Sequence, residues 1–169
     1  MVAGEKIKLA RELVRRGICV WHPLEDIHCV GNTPLLNGMF GVPKAATVKS
    51  GASVLRLIMN LIPSNCCLQQ LQGKVSFLPN ISVWQSIFME DDSELKLFQS
   101  DMSSAFYLFA IPPCWYRYLG FNIVVNAADG QWALCCAVIP MGWASSVGLM
   151  QEISENLLLC GGLDPRIDR

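Results

Sequence analysis

Two apolar runs on either side of a short turn constrain the fold of this chain more than any other feature. The runs cover residues 116–125 and 132–139, are rich in aromatic and β-branched side chains, and are separated by Asn126-Ala-Ala-Asp-Gly130. Asp-Gly between two such runs favours a tight turn, because glycine readily adopts a positive φ. The sequence therefore predicts an antiparallel β-hairpin here.

The segments beside this hairpin predict one more strand and two helices. Asp101 follows a predicted strand over residues 95–100 and is a favoured N-cap residue for a short helix, which Pro112-Pro113 ends. Residues 146–160 place apolar side chains at helical spacing, and two glycines follow them. Strand, short helix, hairpin, loop and helix in this order predict an α+β fold with a mainly antiparallel sheet and packed helices.

An amphipathic helix and a second hairpin are predicted in the first half. Residues 3–16 place apolar side chains at helical spacing, and a glycine follows them as a C-terminal stop. Residues 33–43 are rich in Gly, Pro and Asn and predict a loop. Residues 54–59 predict a strand that closes a hairpin begun near Phe40, with Lys49-Ser-Gly51 at its tip.

The charge distribution excludes some classes of function. Only 16% of the residues are charged and 52% are apolar, which is not typical of a disordered chain. The net charge of −1 argues against a domain that binds nucleic acid by charge alone. Between Asp26 and Glu90, however, every charged residue is basic, namely Lys44, Lys49, Arg56 and Lys74. Any phosphate-binding role is expected in this segment.

The eight cysteines predict free thiols. They include two adjacent pairs and no Cys-x-x-Cys motif, which disfavours a disulfide framework or a zinc ribbon. Residues 1–17 lack the continuous apolar run of a secretory signal, so an intracellular protein is expected. The alternative is a cysteine-rich zinc or redox protein, for which the candidate ligands are Cys19, His22, His28 and Cys29.

One uncharged stretch is long enough to cross a membrane. It covers residues 130–151, but Pro140, Gly142 and two serines interrupt it. Its apolar part shrinks to a run typical of a buried strand. We therefore expect no membrane partner.

Three motifs carry a resemblance to a known family. Phe98-Gln-Ser-Asp101-Met-Ser-Ser-Ala-Phe106 resembles the first palm motif of reverse transcriptases, an aspartate with an aromatic residue five places on. Ile139-Pro-Met-Gly142-Trp-Ala-Ser-Ser is similar to their second palm motif. Val42-Pro-Lys44, followed by Leu55-Arg56-Leu-Ile-Met-Asn60 and Asn65, resembles their fingers signature. The motifs occur in the family order, so the chain resembles a retroelement reverse transcriptase.

The resemblance covers about residues 40–160 and implies an RNA-directed DNA polymerase with a fingers and palm fold. Such enzymes transfer deoxynucleotides onto a primer with two Mg²⁺ ions, and these hard cations take oxygen ligands. By resemblance, Asp101 would be a catalytic metal ligand beside the carbonyl of Met102. The implied partners are an RNA or DNA template-primer and deoxynucleoside triphosphates. Capping a helix is the alternative role for Asp101.

The resemblance also implies five substrate-binding residues. Lys44 and Arg56 would grip the incoming triphosphate, since a guanidinium matches phosphate oxygens. Phe106 would stand under the sugar and exclude a 2′-hydroxyl. Met141 would pack near the base, and Gly142 would let the backbone approach the nucleotide closely. Two solvated hairpin charges, a core aromatic residue and a turn glycine are the alternative roles.

The third palm motif of the family, aromatic-x-Asp-Asp, does not occur after Gly142. We therefore expect a truncated reverse transcriptase that is inactive by itself, whose missing palm and thumb another chain could supply. Within one incomplete domain, residues 1–39 would lead into the fingers, 40–94 would form the fingers-like region and 95–169 a partial palm. Truncation should leave apolar strands uncovered, residues 132–139 among them. The alternative is a non-catalytic nucleic-acid-binding or interaction protein derived from a retroelement.

Overall fold

The computed structural model describes residues 3–47, 53–71, 88–91, 94 and 101–162. The expected hairpin tip at Lys49-Ser-Gly51, the basic residue Lys74 and the expected strand over 95–100 lie outside these ranges. The chain divides into two compact units. The first combines Met1–Gln70 with Ala105–Ser146, and the second combines Leu71–Ser104 with Val147–Arg169. The domain boundaries expected from the sequence stay a prediction.

The N-terminal helix confirms its prediction. Helix α1 covers Ala3–Arg15, and Gly17 follows with a φ of 70°. The Gly17 N–H donates to the Val14 carbonyl at 2.9 Å, and the Ile18 N–H donates to the Leu13 carbonyl at 3.0 Å. This pair of bonds is a Schellman motif, in which the glycine takes the left-handed conformation that ends the helix.

The first unit is built on a five-stranded sheet. The strands are β1 (Cys19–Pro23), β4 (Leu36–Thr47), β5 (Ser53–Asn60), β6 (Gly120–Ala127) and β7 (Gly130–Cys136). Their order is β1-β7-β6-β4-β5, and every pairing is antiparallel except that of β4 with β6. Two short strands, β2 (Cys29–Val30) and β3 (Thr33–Pro34), form a separate ladder.

Helices complete an α+β fold with a mostly antiparallel sheet, as predicted. Helix α2 covers Ile62–Cys67, and helix α3 covers Ser146–Cys160. In the described ranges, 3-10 helices cover Leu24–Asp26, Ala105–Leu108 and Pro113–Tyr118. The prediction of a helix over 146–160 is confirmed, and Gly162 beyond it has a φ of 83°.

Both predicted hairpins form. Strands β4 and β5 pair from Gly38↔Asn60 to Thr47↔Ser53. Strands β6 and β7 pair down to Ala127↔Gly130, which leaves a two-residue loop, and Gly130 has a φ of 139°. The prediction of an Asp-Gly turn rests on this ability of the glycine to adopt a positive φ.

The loop predicted over residues 33–43 is wrong, because these residues form β3 and most of β4. Glycine is tolerated in this strand: a Cβ on Gly41 would lie 3.3 Å from the Leu55 side chain, which is exposed and could shift. Proline has no N–H to donate, so it fits a strand where no neighbouring strand needs that donor. Strand β6 pairs with β4 only at Leu36 and Asn37, so β6 does not flank β4 at Pro43. Composition alone could not reveal this pairing.

The run over residues 116–125 is only partly a strand, because β6 begins at Gly120. Its first residues belong to the 3-10 helix Pro113–Tyr118. Proline at the start of a helix has a suitable φ and needs no N–H partner, so Pro113 favours this turn over an extended chain.

Strand β7 is the centre of the core, and the expectation that residues 132–139 are left uncovered is wrong. The strand lies between β1 and β6, and residues 133–139 are all buried. Ala133 and Cys135 pack with Ile27, and half-buried side chains of both adjacent strands cover this cluster. Pairing on both edges therefore covers the most apolar run of the chain.

No helix in the described part of the chain is long and apolar enough to span a membrane. The uncharged residues 130–151 instead form β7, a loop and the start of α3.

Candidate functional site

A side-chain amide joins the fingers-like and second palm-like motifs. The Asn65 Nδ2 donates to the Gly142 carbonyl at 2.9 Å, and the Asn65 Oδ1 accepts the Ala144 N–H at 2.9 Å. Helix α2 positions this side chain, and the Asn60 Oδ1 accepts the Ile62 N–H at 3.2 Å where that helix begins. The bidentate contact fixes the loop after Pro140 against the end of β5 and α2.

Gly142 is held where no other residue fits. Its φ is 105°, and a Cβ built there would lie 2.9 Å from the Met59 carbonyl. The next residue, Trp143, is buried and contacts Trp115 in a tilted arrangement with ring centroids 5.4 Å apart. The close approach explains the glycine structurally, and it also brings Met141 and Gly142 beside β5.

A cleft of about 220 Å³ lies at this junction. It is lined by Leu57, Ile58, Met59, Tyr107, Met141 and Gly142. Met141 is 46% exposed, and burial raises the pKa of Tyr107. The lining is largely apolar, so the cleft suits a flat or aliphatic group more than a charged one.

Of the two basic candidates, Arg56 is the better defined. Its side chain is exposed on β5, and its cross-strand partner is Val42. Lys44 lies on β4, as expected for the opposite arm of the hairpin, but its side chain is outside the described residues. The register shifts between Pro43 and Thr47, so regular pairing does not set Lys44 opposite a particular residue of β5.

The aromatic residue that was expected under the sugar lies beside the cleft rather than among its lining residues. Phe106 is half-buried in the 3-10 helix Ala105–Leu108, and its neighbour Tyr107 lines the cleft. A motif fixes the position of an aromatic residue along the chain, whereas the turn geometry decides which of two adjacent rings faces the cleft.

The predicted metal ligands belong to the second unit. Asp101 and Met102 are both exposed, and the 3-10 helix begins four residues after the aspartate, so Asp101 does not directly precede the helix that it was expected to cap. Within the described ranges, no three His, Cys, Asp or Glu side chains form a group that could hold a metal ion. One carboxylate and one carbonyl do not fit a pair of Mg²⁺ ions, which need further oxygen ligands.

The zinc alternative is not assembled in the described part of the chain either. Cys19 is buried in β1, whereas Cys29 is exposed on β2. His22 and His28 contact the rings of Tyr116 and Tyr118, respectively. All eight cysteines lie in the described ranges, and none forms a disulfide.

Glu12 partly neutralises the basic C-terminal end of helix α1. Glu12 accepts hydrogen bonds from Arg15 and Arg16, with the closest oxygen–nitrogen distances 2.6 and 2.7 Å. These bonds lower the pKa of Glu12 to about 2. The helix is therefore less available for phosphate contacts than its charge suggests.

A buried hydrogen-bond network behind the site was missed from the sequence. Asn37 Nδ2 donates to Ser64 Oγ and to the Gly120 carbonyl, both at 2.8 Å, and Ser64 Oγ donates to the Tyr118 carbonyl at 2.6 Å. Asn37 and Ser64 are fully buried and connect β4, α2 and β6. An asparagine in a Gly- and Pro-rich segment gave no signal of this role.

Comparisons with known proteins leave the family open. No protein-family model matches the chain, and no curated protein sequence matches it. Any assignment therefore rests on the motifs and on the geometry above.

Proposed function

We propose that the chain is a fingers and partial palm portion of a retroelement reverse transcriptase. By itself it would bind nucleic-acid backbone or deoxynucleoside triphosphate without extending a primer. The observation that carries the proposal is the Asn65 amide, which bridges Gly142 and Ala144. Residues of two motifs far apart in the sequence meet there, which supports a shared role for the two motifs.

The neighbouring cleft supports the same proposal. Leu57, Ile58 and Met59 directly follow Arg56 on β5, and they share the cleft with Tyr107 and Met141. An apolar surface beside an exposed guanidinium can contact a base or sugar while the cation contacts phosphate. The Mg²⁺ expected from the resemblance would need carboxylates beyond Asp101, so no chemical step is derived through it.

The binding experiment compares two double variants that each remove two positive charges. One is Lys44→Ala with Arg56→Ala on the hairpin, and the other is Lys8→Ala with Arg11→Ala on α1. Lys8 and Arg11 are exposed, and they are better controls than Arg15 and Arg16, which already contact Glu12.

Fluorescence anisotropy of a labelled template-primer, and of a labelled deoxynucleoside triphosphate, measures the affinities. We expect the hairpin pair to lose about tenfold or more, because charge-assisted contacts are individually worth about 1.5–3 kcal/mol. The α1 pair should lose much less. Equal losses would mean that the hairpin is an ordinary basic surface and would contradict the proposal.

A primer-extension assay with Mg²⁺ tests the catalytic part. We expect no incorporation by these 169 residues, because Asp101 is the single carboxylate that the palm-like motifs supply. Incorporation that disappears in Asp101→Asn would show that the chain is competent by itself.

A further inference from the structure

Two buried thiols face each other across the edge of the sheet. Cys19 on β1 lies directly opposite Cys136 on β7, and both residues are completely buried. Side chains of directly opposite residues lie on the same face of a sheet with their Cβ atoms close together. The two thiol groups are therefore neighbours although the residues are far apart in the sequence.

The backbone ladder shows which kind of cross-strand pair this is. The Ala137 N–H donates to the Ile18 carbonyl at 2.9 Å, whereas the Cys136 N–H points away from β1 and donates to the Leu119 carbonyl at 3.0 Å. Cys19 and Cys136 thus form a non-hydrogen-bonded pair, in which Cα atoms are typically about 4.5 Å apart. Disulfides need a Cα separation of about 4.4–6.8 Å, so a cross-strand pair of this kind is compatible with a disulfide.

Cys135 provides an internal contrast. It is also completely buried, but its cross-strand partner on β1 is Val20. Because side chains alternate along a strand, Cys135 points to the other face of the sheet from Cys136. All three thiols are buried, so burial does not distinguish them. The strand register does, because it places Cys136, and not Cys135, opposite Cys19.

We propose that Cys19 and Cys136 form an oxidation site that closes a reversible disulfide when it meets a small peroxide. One sulfur attacks hydrogen peroxide and becomes a sulfenic acid, and one water leaves. The other sulfur attacks that sulfur and displaces a second water. Two thiols and one peroxide thus give one disulfide and two waters, with two electrons passing from sulfur to oxygen.

The bond would link the edge strand β1, which follows α1, to the neighbouring strand β7. The site would therefore lock β1, and the helix before it, to the sheet under oxidation and release that constraint when the disulfide is reduced.

The test is a two-reagent thiol map of the intact chain. Iodoacetamide first caps the exposed thiols of the folded protein, and hydrogen peroxide is then added. After unfolding, N-ethylmaleimide labels the thiols that remain, and mass spectrometry of the digest locates every modification. We expect peptides containing Cys19 and Cys136 to be joined, with two hydrogens lost, and Cys135 to carry N-ethylmaleimide. Dithiothreitol should restore both thiols.

Two variants sharpen the test. Cys135→Ala should keep the Cys19–Cys136 link, and Cys136→Ala should abolish it without redirecting Cys19 to Cys135. The wild-type map decides the question even where a variant fails to fold. N-ethylmaleimide on both Cys19 and Cys136 after peroxide treatment, or links to Cys135 as frequent as links to Cys136, would overturn the proposal.

Discussion

At the scale of single residues, polar side chains position the candidate site through hydrogen bonds between elements. Asn37 supports three elements at once, since it bonds to α2 and β6 from β4. Asn65 then fixes the loop that contains Gly142. A buried polar group costs free energy unless it is hydrogen-bonded, and a fully satisfied pair of this kind specifies one arrangement.

We predict that Asn37→Ala lowers the free energy of unfolding by about 2–4 kcal/mol. The change removes the donor to Ser64 Oγ and to the Gly120 carbonyl and leaves both buried groups without that partner. Urea denaturation measures the effect. Asn122→Ala, at an exposed position of β6, is the control and should change stability by less than about 0.5 kcal/mol. Similar losses in both variants would contradict the proposed role of the network.

A second residue-scale prediction concerns Gly142. Gly142→Ala should destabilise the protein by about 1–3 kcal/mol, because it combines an unfavourable φ of 105° with a Cβ 2.9 Å from the Met59 carbonyl. Gly130→Ala separates the two causes, since Gly130 also has a positive φ but no atom within 4 Å of the added Cβ. Thermal melts should show the larger loss for Gly142→Ala. The reverse order would exclude the steric clash as the cause.

The sequence predicted some of these residues and not others, for physical reasons. Gly142 and Asn65 could be singled out because they belong to motifs. Asn37 could not, because its importance depends on Ser64 and Gly120, which only the fold brings near it. Choosing between Phe106 and Tyr107 depends on the turn geometry after Ser104, which has a φ of 57°.

At the scale of elements, the sequence predicted those elements whose structure depends on residues close together in the chain. Helix α1 ends at a glycine that forms a Schellman motif, and the β6–β7 turn depends on Asp-Gly, so both were predictable. The first part of strand β4 was not, because the pairing of this strand with β5 and β6 compensates for its glycines and proline. Strand propensity reflects the neighbours of a strand as much as its own residues.

Helix α1 gives a pH-dependent prediction. Hydrogen bonds from Arg15 and Arg16 lower the pKa of Glu12 from 4.5 to about 2. A carboxyl with a lowered pKa stabilises the fold above the unfolded value and loses that contribution as the pH falls towards the folded value. Stability should therefore fall between pH 4.5 and about 2 in the wild type.

Glu12→Gln should reduce this fall, and chemical denaturation at a series of pH values measures it. The effect should be small because the ion pairs are exposed. Glu5→Gln, on the same helix, is the matched control. A pH profile altered equally by both substitutions would show that Glu12 has no special role.

At the scale of the whole molecule, burial sorts the eight cysteines into two classes. Cys19, Cys135 and Cys136 lie in the core of the sheet, and the exposed thiols are Cys29, Cys66, Cys67, Cys114 and Cys160. Reaction with an alkylating reagent needs both access and a thiolate. Burial raises the pKa of Cys135 to about 12, and a hydrogen bond to Cys136 together with burial raises that of Cys19.

We predict that N-ethylmaleimide modifies the five exposed thiols of the folded protein rapidly and the three buried ones slowly, with all eight reacting after unfolding. The rate for the slow class should follow opening of the sheet, because β7 lies between β1 and β6 and its thiols become accessible to N-ethylmaleimide, which is much larger than hydrogen peroxide, only when one of these pairings breaks. Time-resolved mass spectrometry measures both classes. Low urea should accelerate the slow class alone, whereas eight equal rates without denaturant would mean that the core described here does not form in solution.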